Sequence, residues 1–145
     1  MPQSITPKDV VISVTGTQKY EGQETQTVEL VTDGTLTEVD GKFLVSYAES
    51  DMTGLEGTTT TFEVDKHRIT LTRTGALSSE MVFEEGRTHE SLYDMGFGAL
   101  LIGVRARRVQ SDLTASGGRF RMEYTVAIEQ EVSALNKYEV SVREA

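Results

Sequence analysis

The chain has two histidines, His67 and His89, set 22 residues apart. His89 stands near Glu85 and Glu90, and an imidazole beside a carboxylate can hold a cation or act as a general base. With Arg73 and Tyr93, the pair His89 and Glu90 is the set that an enzyme reading would use. The same residues serve as well in a purely structural role, and the residue pattern commits to no catalytic group. Ser78-Ser79 lacks the glycine frame of a nucleophile elbow. Gly96-Phe97-Gly98 is not followed by a helix whose N-terminus could hold a phosphate. There is no cysteine, which removes disulfides, thiolate catalysis and Cys-based zinc or iron–sulfur centres. No residue spacing calls for a metal or a cofactor.

The segment Met52 to Thr61 is the most distinctive. Gly54 and Gly57 bracket Leu55-Glu56 and predict a tight loop. Glu49 and Glu56 at its ends could meet a ligand. A strand corner that needs glycine to turn, with Met52 or Leu55 plugging one end of the fold, is the alternative.

Arg105, Arg107, Arg119 and Arg121 have the opposite parity to Leu100, Ile102, Val104, Phe120, Met122 and Tyr124. If the two runs pair as a hairpin, the four arginines share one face, with Arg108 nearby. Such a face would suit a phosphate, a carboxylate ligand, RNA or an acidic protein partner. It would equally suit cross-strand ion pairs with Glu123, Glu129 or Glu139.

Charge and size bound these readings. The 145 residues fit one domain, residues 1–145, with 1–8 expected as a loose N-terminal arm. Lys and Arg number 14 against 23 Asp and Glu, a net charge of −9, which disfavours nucleic acid and anionic lipid as partners. Mean hydropathy is −0.30, and the longest apolar run, Phe97 to Val104, is too short to span a bilayer as a helix. The N-terminus has no secretory pattern, so the cytoplasm is the expected compartment and no membrane partner is expected. Oligomeric state is not fixed by these features.

The elements that must position these groups read as strands. Threonine occurs 19 times and glycine 13 times, with two prolines. β-Branched residues favour a pleated surface, and glycine supplies turns. Strands are predicted from Val10 to Thr17 and from Thr25 to Thr32. A hairpin-type turn at Asp33-Gly34 and a separate strand Thr35–Val39 follow, then a second such turn at Asp40-Gly41. Phe43, Val45 and Tyr47 alternate with polar or smaller neighbours. Thr58–Val64 and Arg68–Thr74 flank a turn at Asp65-Lys66-His67. Met81–Phe83 and Thr88–Tyr93 flank Glu85-Gly86. Phe120, Met122, Tyr124, Val126 and Ile128 keep one parity, as do Tyr138, Val140 and Val142. Helical periodicity is absent; the best places for a helical turn are Ser50–Glu56 and Asp112–Ser116.

Eight to ten short strands joined by tight turns predict an all-β, antiparallel up-and-down meander; closure into a barrel hides its edges, a flattened two-sheet sandwich does so in part, and the consecutive hairpin signals favour the barrel. The string Ser46 to Thr61, with its Met52-Thr53-Gly54-Leu55-Glu56-Gly57-Thr58 core, resembles the signature of the YwiB-like family, uncharacterised bacterial proteins of unknown function. Gly75 to Phe83 and Leu113 to Gly118 are similar as well. The resemblance spans roughly Val10 to Arg143. It implies a calycin-like, lipocalin-type barrel and carries over no activity, cofactor or catalytic residue.

Tyr47, Phe62, Met81, Phe83, Met122 and Tyr124 are expected inside such a barrel. Arg73, His89, Tyr93 and Phe97 could add a polar–aromatic pocket. A hollow interior would take a small apolar or amphipathic molecule; a filled one would be an ordinary core. The leading expectation is a non-catalytic binding barrel, with Tyr47, Glu49, Glu56, Arg73, His89, Tyr93, Phe97 and Tyr124 as ligand contacts. A protein-interaction module using the arginine face is the second. An enzyme in a calycin-type barrel is the third. A cavity above about 300 Å³ would favour the first.

Overall fold

In the computed structural model, residues 7–20, 22–50, 56–75, 78–94, 98–129 and 131–145 are described, 92–94 and 132–133 by backbone alone. Ten strands follow one another: β1 (Lys8–Lys19), β2 (Gln26–Val39), β3 (Lys42–Ala48), β4 (Thr58–Val64), β5 (Arg68–Gly75), β6 (Ser79–Glu84), β7 (Thr88–Asp94), β8 (Ala99–Ser111), β9 (Gly117–Ile128) and β10 (Glu131–Glu144). Every pairing is antiparallel, and the order is β6-β5-β4-β3-β2-β1-β10-β9-β8-β7. This is the expected meander, joined to itself by the β1–β10 ladder between the two ends of the chain.

The sheet curls until distant strands touch. The Phe62 ring on β4 meets Phe120 on β9 edge-on at 5.1 Å. Phe83 on β6 meets Tyr124 on β9 at 4.6 Å. The barrel is nearly closed. Its seam lies between β6 and β7, consecutive strands that form the two ends of the strand order. Side chains and the turn bridge this seam at one end. Gly86 N–H donates to the Ala106 carbonyl at 3.0 Å, and Val109 N–H donates to Glu85 Oε2 at 2.9 Å.

Period-2 alternation decides which residues enter the core, because directly paired residues share a face. Phe43, Val64, Ile69 and Phe83 form one inward rung across β3 to β6. Val45, Phe62, Leu71 and Met81 form the next, and Tyr47, Thr60, Arg73 and Ser79 the third. The first two rungs are apolar and the third is polar. On the other wall Ile12, Val14, Phe120, Met122, Val140 and Val142 are buried. Each large apolar side chain removed from water contributes about 1.5–3 kcal/mol, so these rungs supply much of the driving force.

The turn at Asp40-Gly41 is as expected. Both residues have positive φ, 51° and 80°, the geometry of a two-residue hairpin turn whose twist matches the strands. Asp33-Gly34 is different. It is no turn: β2 runs straight through it and absorbs the separate strand expected at Thr35–Val39. Gly34 is needed for close approach instead, since a Cβ there would lie 2.3 Å from Ile12 Cδ1 and 2.4 Å from the Ser46 carbonyl oxygen. Glycine marks a strand position pressed against the core, and the local pattern of Asp-Gly resembles a turn signal.

The strands are also longer than the sequence suggests, up to 14 residues in β2 and β10. Asp112–Ser116 is no helical turn. It is a tight connection held by Thr114 and Gly117, which exchange backbone bonds of 2.8 and 3.1 Å. Most of the other expected helical turn, Ser50–Glu56, lies outside the described residues. β1 begins at Lys8, one residue inside the expected N-terminal arm. Among the described residues no helix is long and apolar enough to cross a membrane.

Candidate functional site

The polar rung sits at the end of the barrel where β1 finishes and β2 begins. At this end the interior is not filled. A cavity of about 390 Å³ is walled by Val14, Leu71, Phe83, Met122 and Tyr138, with Tyr47, Glu49, Phe62, Arg73 and Tyr124 also lining it. Val28, Glu29 and Leu30 of β2 complete its edge. Val28 is on the inward face, opposite Gly16, yet 66% exposed, so it forms an apolar lip at the mouth.

Two local features keep this space open. Gly16 opposes both Val28 and Tyr138, and a Cβ on Gly16 would come within 2.8 Å of Tyr138 Cε1. The tyrosine ring therefore lies over the glycine and along the wall. It stacks parallel to Tyr124, with centroids 6.2 Å apart and planes 3° from parallel.

Glu49 is the most buried charged side chain of the cavity, with 2% exposed. It lies two residues after Tyr47 and so on the same inward side. Its backbone N–H donates to the Thr58 carbonyl at 2.8 Å, which ties the end of β3 to the start of β4. The Thr60 hydroxyl donates to Glu49 Oε2 at 2.5 Å. Arg73 Nε stands 4.0 Å from the same oxygen, too far for a hydrogen bond. That Nε is buried and has no acceptor among the described residues, while 23% of the Arg73 side chain is exposed. The ion pair is therefore present but not closed.

Tyr47 feels this arrangement. Burial pushes its phenol well above the ordinary tyrosine range, and the Glu49 carboxylate pushes it further. Arg73 and a hydrogen bond with Thr60 act in the opposite direction and are weaker. The phenol stays protonated and can donate.

Of the eight expected ligand contacts, the fold brings Tyr47, Glu49, Arg73 and Tyr124 together around one cavity. Glu56 is exposed and is not among the residues that line it. The Tyr93 side chain and Phe97 lie outside the described residues. His89 faces inward opposite Val104 but sits at the seam, where Nε2 is 3.0 Å from Glu84 Oε1. Neither Glu85 nor Glu90 is this partner. Glu85 is engaged by Val109, and Glu90 opposes Gly103 on the outer face. The His89 bond holds the Glu84 carboxyl below its ordinary range. Arg73 pairs with Ser79, five residues along β6 from Glu84, about 17 Å of strand. His89, Glu90 and Arg73 are thus not assembled into one centre. Among the described residues no group of three or more His, Cys, Asp or Glu could hold a metal ion.

Arg105, Arg107, Arg119 and Arg121 are all exposed on the outer surface of the β8–β9 hairpin. A bulge between Ala106 and Arg108 makes Arg107 the extra residue and resets the parity of β8. Arg105, Arg108, Arg119 and Arg121 have local partners. Arg119 lies 3.6 Å from Glu139, Arg108 lies 3.6 Å from Glu123, and Arg121 Nε donates to Gln110 Oε1 at 2.7 Å. Arg105 donates to the Thr88 hydroxyl at 3.3 Å. The face alternates in sign.

Thr60, Tyr138, Val28 and Leu30 were not among the expected contacts. The parity of Phe62 already placed Thr60 inward, and that of Val140 did the same for Tyr138. What was missing was the register that aligns them.

The model of a domain of unknown function, DUF1934, matches residues 12–140. The chain belongs to this family. The crystal structure of the ywiB protein from Bacillus subtilis is similar in fold, with a TM-score of 0.83 over 96% of this chain and 93% of that one. Sequence identity with it is 22%, so the likeness speaks for the barrel alone. No curated protein matches the chain.

Proposed function

We propose that this DUF1934 protein is a binding barrel that reversibly captures a small apolar or amphipathic molecule, without covalent chemistry. The observation that carries this reading is the cavity of about 390 Å³, apolar in its depth and polar at one rung. Small-ligand sites are typically concave, mostly apolar and about 300–1,000 Å³, with a few convergent polar groups that fix orientation. The cavity opens past an apolar lip, Val28, which would shelter the body of a ligand on entry.

The test uses a neutral apolar fluorophore, N-phenyl-1-naphthylamine, titrated into the intact protein. Saturable one-to-one binding is expected. Val28 is 66% exposed, so Val28→Trp should leave the fold intact and cover the mouth. It should weaken binding at least tenfold. Absence of saturable binding to the wild-type protein would overturn the reading.

A further inference from the structure

The unclosed Glu49–Arg73 pair has a chemical meaning beyond a generic pocket. We infer that the cavity selects a zwitterion: a small apolar amino acid whose ammonium meets Glu49 and whose carboxylate meets Arg73. This inference rests on the binding-barrel reading and deepens it.

Three observations carry it. First, a carboxylate only 2% exposed faces the cavity, and among the described residues the Thr60 hydroxyl is the hydrogen-bond donor it has. A carboxylate has room for further donors, and an ammonium brings three. Second, the nearest cation, Arg73, lines the same cavity at 4.0 Å from that carboxylate, with Nε lacking an acceptor and part of the side chain open. A guanidinium is built for a planar carboxylate. Third, Arg73 on the polar rung and Glu49, two residues beyond Tyr47, are opposite charges 4.0 Å apart, and the walls around them are Phe62, Leu71, Phe83 and Met122. An α-amino acid has the matching layout, with opposite charges on one carbon and the side chain projecting away.

The charges also argue against simpler ligands. A lone anion would face Glu49, the nearby Glu29 and a protein of net charge −9. A lone amine would leave Arg73 beside an added positive charge. A zwitterion serves both groups, and the added charges sum to zero. The rings of Tyr47, Tyr124 and Tyr138 give the ammonium a further attractive surface.

The experiment is isothermal titration of the full chain with L-phenylalanine, L-tryptophan and L-leucine. Each is compared with its decarboxylated amine and its deaminated acid. At least one amino acid should bind one to one, at least tenfold more tightly than both of its truncated counterparts, and should displace N-phenyl-1-naphthylamine. Glu49→Gln should abolish the advantage over the deaminated acid, and Arg73→Gln the advantage over the amine. These comparisons are made first on the wild-type protein, so a variant that misfolds does not decide the matter. If the fluorophore binds but no amino acid outdoes its truncated forms, the zwitterion assignment is wrong and the pocket reading stands. If the fluorophore does not bind, the pocket reading falls and the zwitterion assignment falls with it.

Discussion

The Thr60 hydroxyl donates a 2.5 Å hydrogen bond to Glu49, a carboxylate that the barrel otherwise buries almost completely. Thr60 is itself fully buried. Its neighbours on the same rung are Tyr47 and Arg73. One threonine on β4 thus sits between the phenol, the carboxylate and the guanidinium that define the polar end of the cavity.

Thr60→Val keeps the shape and removes the donor. Among the described residues, the carboxylate would be left with a distant guanidinium. A buried charged group that loses its hydrogen bond costs about 1–3 kcal/mol. Urea denaturation at neutral pH should show a loss in that range. The loss should be smaller when Thr60→Val is made in a Glu49→Leu background, because no charge is then stranded. An equal loss in both backgrounds would assign the effect to packing.

Tyr47 predicts a specific alkaline weakness. Its folded-state phenol is raised above the unfolded value of 10.0, chiefly by burial. The stabilisation is therefore complete below that value and declines as pH rises above it, because the unfolded chain ionises first. The slope from one such group is at most about 1.4 kcal/mol per pH unit. Tyr47→Phe should flatten the stability profile above pH 10 relative to wild type. The readout is the denaturation midpoint as a function of pH, and superimposable slopes would argue against the assignment.

His89 predicts an effect at the opposite end of the scale. Glu84 is held below its ordinary value of 4.5, mainly by the hydrogen bond with His89. A depressed carboxyl stabilises the fold above the unfolded value and loses that effect as pH falls through the folded one. His89→Ala should move the Glu84 titration upward, which carbon-detected NMR can follow at the side-chain carboxyl. The fluorophore affinity should be unchanged, because the seam contact lies away from the cavity. An unmoved Glu84 titration would remove His89 as the cause.

Gly34 and Gly41 should separate close approach from backbone conformation. Gly34→Ala puts a methyl group 2.4 Å from the Ser46 carbonyl oxygen and 3.2 Å from Tyr47 Cβ. Overpacking of this kind costs about 3 kcal/mol. Because it presses on Tyr47, it should also weaken fluorophore binding. Gly41 has φ +80° with nothing near its Cβ position. Gly41→Ala should cost about 1–2 kcal/mol from backbone strain, with affinity unchanged. Chemical denaturation and the fluorophore titration together distinguish the two.

The sequence by itself determined that the chain is all β, antiparallel and sequentially paired. Alternation at Phe120 to Ile128 and at Tyr138 to Val142, and the turn residues Asp40-Gly41, carry that information locally, over a few residues. It also named the inward side chains Tyr47, Phe62, Phe83, Met122 and Tyr124, since parity follows from the pleat. Asp33-Gly34 misled because a glycine demanded by a contact with Ile12 looks, in sequence, like a glycine demanded by a turn. The bulge at Arg107 was invisible for a related reason: it is a mismatch between two strands and belongs to neither alone. Tertiary structure alone decided the site. Tyr47, Thr60 and Arg73 meet because three strands are in one register, and Glu49 joins them from two residues along β3. His89 was drawn to Glu84 by the β6–β7 turn, away from the residues it was expected to join. The cavity itself depends on how opposite walls meet. Gly16 lets Tyr138 lie flat, and the distance across a curled sheet is set by the whole barrel, which no local pattern encodes.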